Sequence, residues 1–193
     1  MKNKQIDRRT VLKLAAASSP LFIASSVLGR QGPGANERVN VGIIGLGGRC
    51  HTIAQDCLGI PEMRVVAVCD CFQPRIDALQ ASVGKGQNWK TYTDFRQMIE
   101  NENLDGVLVE TTTHARAWVA CHAMAAGMDA YIEKPMALTI AEGREMVRIA
   151  RKYERVTQVG TQQRSMPLNN WASDLVTGGA IGKIKTVLAP NFV

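Results

Sequence analysis

The sequence has no C-x-x-C pair, no long uninterrupted apolar run, no internal repeat and, past its first thirty residues, almost no net charge. Each absence removes a class of protein. Without a C-x-x-C pair a structural zinc site is not expected. The five cysteines, Cys50, Cys57, Cys69, Cys71 and Cys121, are an odd number, which argues against a full disulfide set. They read instead as small buried hydrophobes. The net charge of +6 belongs to the leader: residues 1–30 carry six basic side chains against Asp7 alone, while the remaining 163 residues hold 17 basic and 16 acidic ones. The body therefore has no electrostatic footprint for nucleic acid. What remains, 46% hydrophobic and 21% charged, suits a globular chain with a real core.

The leader reads as an export signal over residues 1–30. Arg8-Arg9, followed by Val11-Leu12-Lys13, stands just before an apolar segment from Leu14 to Leu28. This resembles the twin-arginine export motif, so the export machinery is an expected partner and the periplasm an expected location. Ser18-Ser19-Pro20 interrupts the apolar segment, which is too short for a stable membrane span. Residues 31–38, with Gly32-Pro33-Gly34, form a linker.

The body alternates strands and helices. Strands are expected at 39–44, 63–69, 89–92, 105–109, 129–132 and 156–160. Helices are expected at 50–58, 74–82, 94–101, 115–126 and from Thr139 to about Tyr153, the last opened by a Thr139…Glu142 capping box. Continuous apolar strands such as Val39 to Ile44 suit a sheet buried on both faces. Right-handed crossovers then give an α/β, Rossmann-type doubly wound parallel sheet over residues 39–160. Ligands bind such sheets at the carboxyl ends of the strands.

Those ends carry the unusual residues. Gly45-Leu46-Gly47-Gly48-Arg49-Cys50 follows the first strand and opens a helix. Gly45 permits the tight turn, Gly47 lets a pyrophosphate approach the backbone, and the helix N-terminus favours its charge. The third glycine position holds Cys50, which loosens helix–strand packing without blocking a phosphate. Asp70 ends the second strand, 25 residues after Gly45, where a carboxylate accepts from the adenosine ribose and repels a 2′-phosphate. NAD is the expected cofactor, and Arg75 downstream leaves NADP possible. Glu133-Lys134-Pro135 follows the fifth strand; a lysine there can exchange a proton with a substrate hydroxyl, helped by partial burial. On spacing alone, a solvated lysine beside a strand is the favoured reading.

The glycine turn, Asp70, the Thr111–His114 segment, Glu133-Lys134-Pro135 and Val159-Gly160-Thr161-Gln162-Gln163-Arg164 come in the order and spacing of the Gfo/Idh/MocA oxidoreductases, which the chain resembles over residues 39–193. The resemblance implies a Rossmann domain followed by an open α/β sheet domain. It implies hydride transfer between a nicotinamide cofactor and a sugar or cyclitol, with Lys134 catalytic. It places Gly45, Leu46, Gly47, Gly48, Arg49, Asp70, Thr111, Thr112, His114, Glu133, Lys134 and Gln163 at the cofactor. Where exported relatives show Thr-Pro-Asp-His-Trp-His, this sequence has Thr111-Thr112-Thr113-His114-Ala115-Arg116.

The second domain of the family is longer than the residues that follow 160. Pro167 to Thr177 reads as its connecting helix and Lys183 to Ala189 as its first strand, so residues 161–193 are expected to be the start of a truncated substrate and oligomerisation domain. Assembly through the open sheet would need that domain in full. Two other readings stay open: a non-catalytic nucleotide-binding fragment or sensor, and an NAD-dependent glycosidase, against which the intact Glu-Lys-Pro argues.

Overall fold

The computed structural model describes residues 37–189. The expected export segment and most of the expected linker lie outside the described residues. Six parallel strands form one sheet: β1 (Val39–Ile44), β2 (Met63–Cys69), β3 (Lys90–Tyr92), β4 (Gly106–Val109), β5 (Asp129–Glu133) and β6 (Thr157–Gly160). Their order is β3-β2-β1-β4-β5-β6. The chain reverses direction across the sheet between β1 and β4, which opens a crevice at their carboxyl ends.

The helices are α1 (Gly48–Leu58), α2 (Gln73–Ala81), α3 (Phe95–Asn101), α4 (Thr113–Ala125), α5 (Ile140–Lys152) and α6 (Pro167–Thr177). Side chains alternate along the strands, apart from a register shift where β2 pairs with Val41 and Gly42, and divide the core in two. Val41, Ile43, Val65, Val68 and Leu108 pack under α1 and α2. Ile44, Ala67, Val107, Val109 and Ile132 pack under α3, α4 and α5. This period of two decides which strand-end residue faces which helix layer.

Local chemistry sets the helix ends. Thr139 and Glu142 form the reciprocal capping box at the start of α5. Asp94 caps α3 by accepting from the Arg96 amide at 2.9 Å. Gly127, at φ +96°, closes the α4 corner in a conformation that only glycine adopts freely.

Two expectations need correction. Helix α4 begins at Thr113, so His114 lies in its first turn and not before it. Residues 183–189 form no strand; they run without regular structure, with Ile184, Val187 and Leu188 exposed. Their β-branched composition favours a strand, but no strand is stable without a neighbour to complete its backbone hydrogen bonds. Among the described residues no helix is long and apolar enough to cross a membrane.

Candidate functional site

The crevice is a cavity of about 580 Å3 at the carboxyl ends of β1, β2 and β4, within the usual size range of small-molecule sites. The glycine turn forms its floor, and the three glycines differ. Gly45 has φ +93°, and a Cβ there would lie 2.6 Å from the Thr111 amide nitrogen. Its glycine lets β1 pass the end of β4. At Gly47 and Gly48 a Cβ would meet nothing within 4 Å. Both residues line the cavity with bare backbone. Gly47 caps α1 without any side-chain hydrogen bond, and the first turn of α1 holds no acidic residue. The positive helix end therefore faces the crevice without a side-chain cap.

Asp70 directly follows β2 and is buried. Its Oδ2 accepts from the Leu46 amide at 2.8 Å and its Oδ1 from the Phe72 amide at 2.9 Å. The carboxylate thus fixes the glycine turn to the loop after β2 while still lining the cavity. Arg75 Nη1 stands 3.7 Å from Asp70 Oδ2 on a half-exposed side chain. Leu46 gives its amide to Asp70 and its side chain to the core, so it lies beneath the cavity and not in its wall. Arg49 lines the cavity, and its Nε lies 3.8 Å from Glu133 Oε2.

Thr111, Thr112 and His114 line the opposite wall, at the end of β4 and the start of α4. Lys134 follows β5 and joins Pro135 through a cis peptide bond. It is exposed, as the solvated-lysine reading expects, and the partial burial that would help proton exchange is not seen. Neither it nor Glu133 lines the cavity. Gln163 sits in a 3-10 turn after β6, where its side-chain and main-chain oxygens both accept from Asn169 Nδ2. The structure thus gathers the glycine turn, Asp70 and the Thr111–His114 segment around one cavity. Lys134 and Gln163 stand outside it, beyond the ends of β5 and β6.

Two residues missed in the sequence shape this wall. Arg116, buried in α4, donates from Nη1 to the Pro135 carbonyl and from Nη2 to the Thr111 carbonyl. It ties the turn that carries Lys134 to the end of β4. Glu110 is buried directly after β4, and neither of its carboxyl oxygens has a hydrogen-bond partner among the described residues. Burial, then the charge of Glu133, pushes its pKa up from 4.5 to about 7, against the pull of Arg49 and Arg116. The only sequence signal for Arg116 was its departure from the pattern of the exported relatives.

The family model described as an oxidoreductase family with an NAD-binding Rossmann fold, Gfo/Idh/MocA, matches residues 39–161. The chain belongs to this family. It is 30% identical over 148 residues to a myo-inositol 2-dehydrogenase of Thermotoga maritima, covering 75% of this chain and 42% of that protein. It is 28% identical over 139 residues to a glycosyl hydrolase family 109 protein of Shewanella, covering 69% of this chain and 30% of that one. Among solved structures, the myo-inositol 2-dehydrogenase of Lactobacillus plantarum superposes with a TM-score of 0.67 at 27% identity, over 76% of this chain and 43% of that one. The chain thus spans less than half the length of these Gfo/Idh/MocA relatives. Residues 39–161 form an NAD-binding Rossmann domain of that family. They fit the dinucleotide: uncapped α1 amides and open backbone at Gly47 and Gly48 for the pyrophosphate, and a fixed carboxylate at Asp70 on the β2 side.

Proposed function

We propose that this chain is the cofactor domain of an NAD-dependent oxidoreductase that moves hydride between nicotinamide and a cyclitol or sugar. The observation that carries the reading is the layout of the strand ends. Asp70 and Lys134 follow β2 and β5, on opposite sides of the glycine turn. A dinucleotide whose adenosine ribose meets Asp70, and whose pyrophosphate meets Gly47 and Gly48, extends its nicotinamide toward β4 and β5. The cofactor, when bound, accepts the hydride. Lys134 Nζ would hold the substrate hydroxyl and take its proton as the carbonyl forms. Arg116, anchored on the carbonyls of Thr111 and Pro135, positions the Lys134 turn. The inositol dehydrogenases among the relatives support a polyol substrate.

The full chain should bind NAD in a fluorescence or calorimetric titration and form NADH slowly with a cyclitol. Lys134→Ala should abolish NADH formation and leave NAD binding within about twofold, since Lys134 lies outside the cavity. Absence of NADH formation with every cyclitol and sugar tested would refute the dehydrogenase reading for this chain. The glycosyl hydrolase relatives favour a second reading, glycoside cleavage with transient use of NAD. Aryl-glycoside release without net NADH would select it.

The reading includes export by the twin-arginine route, supported by Arg8-Arg9 and the Val11-Leu12-Lys13 that follows. Substituting both arginines by lysine should hold the chain in the cytoplasmic fraction. Unchanged export would refute this part.

A further inference from the structure

Two acidic side chains occupy a face of the sheet that elsewhere is apolar. Glu110 follows Leu108 at the strand period, on the face covered by α1. Glu133 ends β5 on the same face, two residues after Tyr131. Both are buried, and none of their carboxyl oxygens has a hydrogen-bond partner among the described residues. An unpartnered buried carboxylate is unfavourable, and two close together resist ionising at once. Gly160 on β6 keeps room for Glu133 and Tyr131, since a Cβ there would lie 2.7 Å from Glu133 Oε2 and 2.6 Å from the Tyr131 hydroxyl.

The groups that face Glu110 come from three elements. Helix α1 supplies Arg49, Cys50 and Cys57; burial pushes the two thiols up to about 12 and about 11, so both stay neutral. Helix α4 supplies Arg116, already bound to two carbonyls. Strand β5 supplies Glu133 and Tyr131, the latter raised by burial. Glu110 also lines the crevice beside Gly45 and Thr111, with His114 on the same wall.

We propose that Glu110 is the residue by which this domain distinguishes the oxidised cofactor from the reduced one. The inference rests on the proposed placement of the dinucleotide, with adenosine at Asp70 and nicotinamide on the β4–β5 side. The oxidised nicotinamide ring carries a positive charge and the reduced ring none; the rest of the molecule is the same. A negative charge behind this wall is weakly screened by water and attracts only the oxidised ring. Once Glu110 is protonated, the distinction fades. Binding of the oxidised form therefore releases a proton from Glu110 to solvent, and binding of the reduced form does not.

The full chain is titrated with NAD+, NADH and ADP-ribose by calorimetry at about pH 6 and about pH 8, on either side of the Glu110 midpoint, in buffers of different ionisation enthalpy. The ratio of the NADH to the NAD+ dissociation constant should rise about fivefold between the two, the change expected if the oxidised ring lowers the Glu110 pKa from about 7 by about one unit. Proton release should accompany NAD+ alone. Glu110→Gln should flatten the ratio, while any contribution from His114 survives in that variant and is separated by it. Glu133→Gln keeps Glu110 but removes its like-charged neighbour, and should move the transition to lower pH. A ratio that ignores pH, or that changes equally in Glu110→Gln, overturns the inference. ADP-ribose with the same pH dependence as NAD+ overturns it too, since ADP-ribose has no nicotinamide. Failure of all three ligands to bind would overturn the cofactor placement itself, and the inference with it.

Discussion

Gly45 and Gly48 lie three residues apart in one turn, and the structure assigns them opposite duties. A Cβ at Gly45 would lie 2.6 Å from the Thr111 nitrogen and 2.7 Å from both the Glu110 carbonyl carbon and the Thr111 Cα. Relaxed contacts of this kind lie near 3.5–4.0 Å, so the overlap is about 1 Å, and the three atoms nearest to it are all backbone. That backbone is held in place: the Glu110 amide donates to the Ile44 carbonyl at 2.8 Å, and the Gly45 amide to the Cys69 carbonyl at 2.8 Å. The φ of +93° adds strain for any side chain. A left-handed backbone costs alanine about 1–2 kcal/mol and overpacking about 1–3 kcal/mol, so Gly45→Ala should lose about 2–5 kcal/mol. That is a large part of the stability of an ordinary domain.

Gly48 opens α1 with open space around it. Alanine there should leave stability unchanged or raise it by up to about 1 kcal/mol. Its methyl group would instead stand in the cavity where a pyrophosphate must approach, and weaken NAD binding about tenfold or more. Urea unfolding of the full chain reads the first effect and NAD titration the second. A Gly45→Ala loss under about 1 kcal/mol, or a Gly48→Ala variant that binds NAD as tightly as the parent, would refute the division of labour.

Asp70→Asn should lose about 1–3 kcal/mol, because an amide offers one oxygen to two backbone donors, Leu46 and Phe72, now served by two; urea unfolding that finds no loss would show that the turn does not depend on the carboxylate. Removing the Arg75 partner by Arg75→Ala should change stability by less than about 1 kcal/mol, since Arg75 is half exposed, 3.7 Å away, and Asp70 keeps its two backbone donors. Glu110 also predicts a pH dependence of stability. Its pKa is raised on folding, from 4.5 to about 7, so the protein is most favoured below the lower value, where both states hold the proton. Stability from this group falls as pH rises through that window and levels off above it, by up to about 3 kcal/mol. Glu110→Gln should therefore match the parent near pH 4 and exceed it at pH 8, by up to about 3 kcal/mol; melting curves with a pH-independent gap would contradict the assigned burial.

The alternation of elements was legible because each rested on local chemistry. Apolar runs gave the central strands, Thr139 and Glu142 the start of α5, and Gly127 the end of the α4 corner. The last strand was misread for the opposite reason. Residues 183–189 have the composition of a strand, but a strand is completed by its neighbours, and sequence carries no sign of whether a neighbour is there. Glu110 was illegible in another way. An acid after four apolar residues reads as the start of a loop. Only the pairing of β4 between β1 and β5 shows that the strand's alternation carries it inward beneath α1. Arg116 looks like a solvent-facing helix residue until the ends of β4 and β5 are seen to bring two carbonyls within its reach. The same limit applies to Lys134, whose motif says nothing of its exposure.

The second role of Asp70 bears on cofactor choice. A carboxylate that met only a ribose could swing aside for a 2′-phosphate, with Arg75 turning in behind it. Here both oxygens are tied, one to the glycine turn and one to the loop after β2. Moving the carboxylate would leave the buried Leu46 amide without an acceptor and loosen the floor on which the pyrophosphate rests. In the proposed placement the negative charge is therefore held at the ribose position by the same bonds that shape the turn. Arg75, 3.7 Å away and half exposed, is the mobile member of the pair. Preference for NAD over NADP then follows from rigidity as much as from charge. A change of preference would need a replacement that removes the charge yet still accepts from both amides.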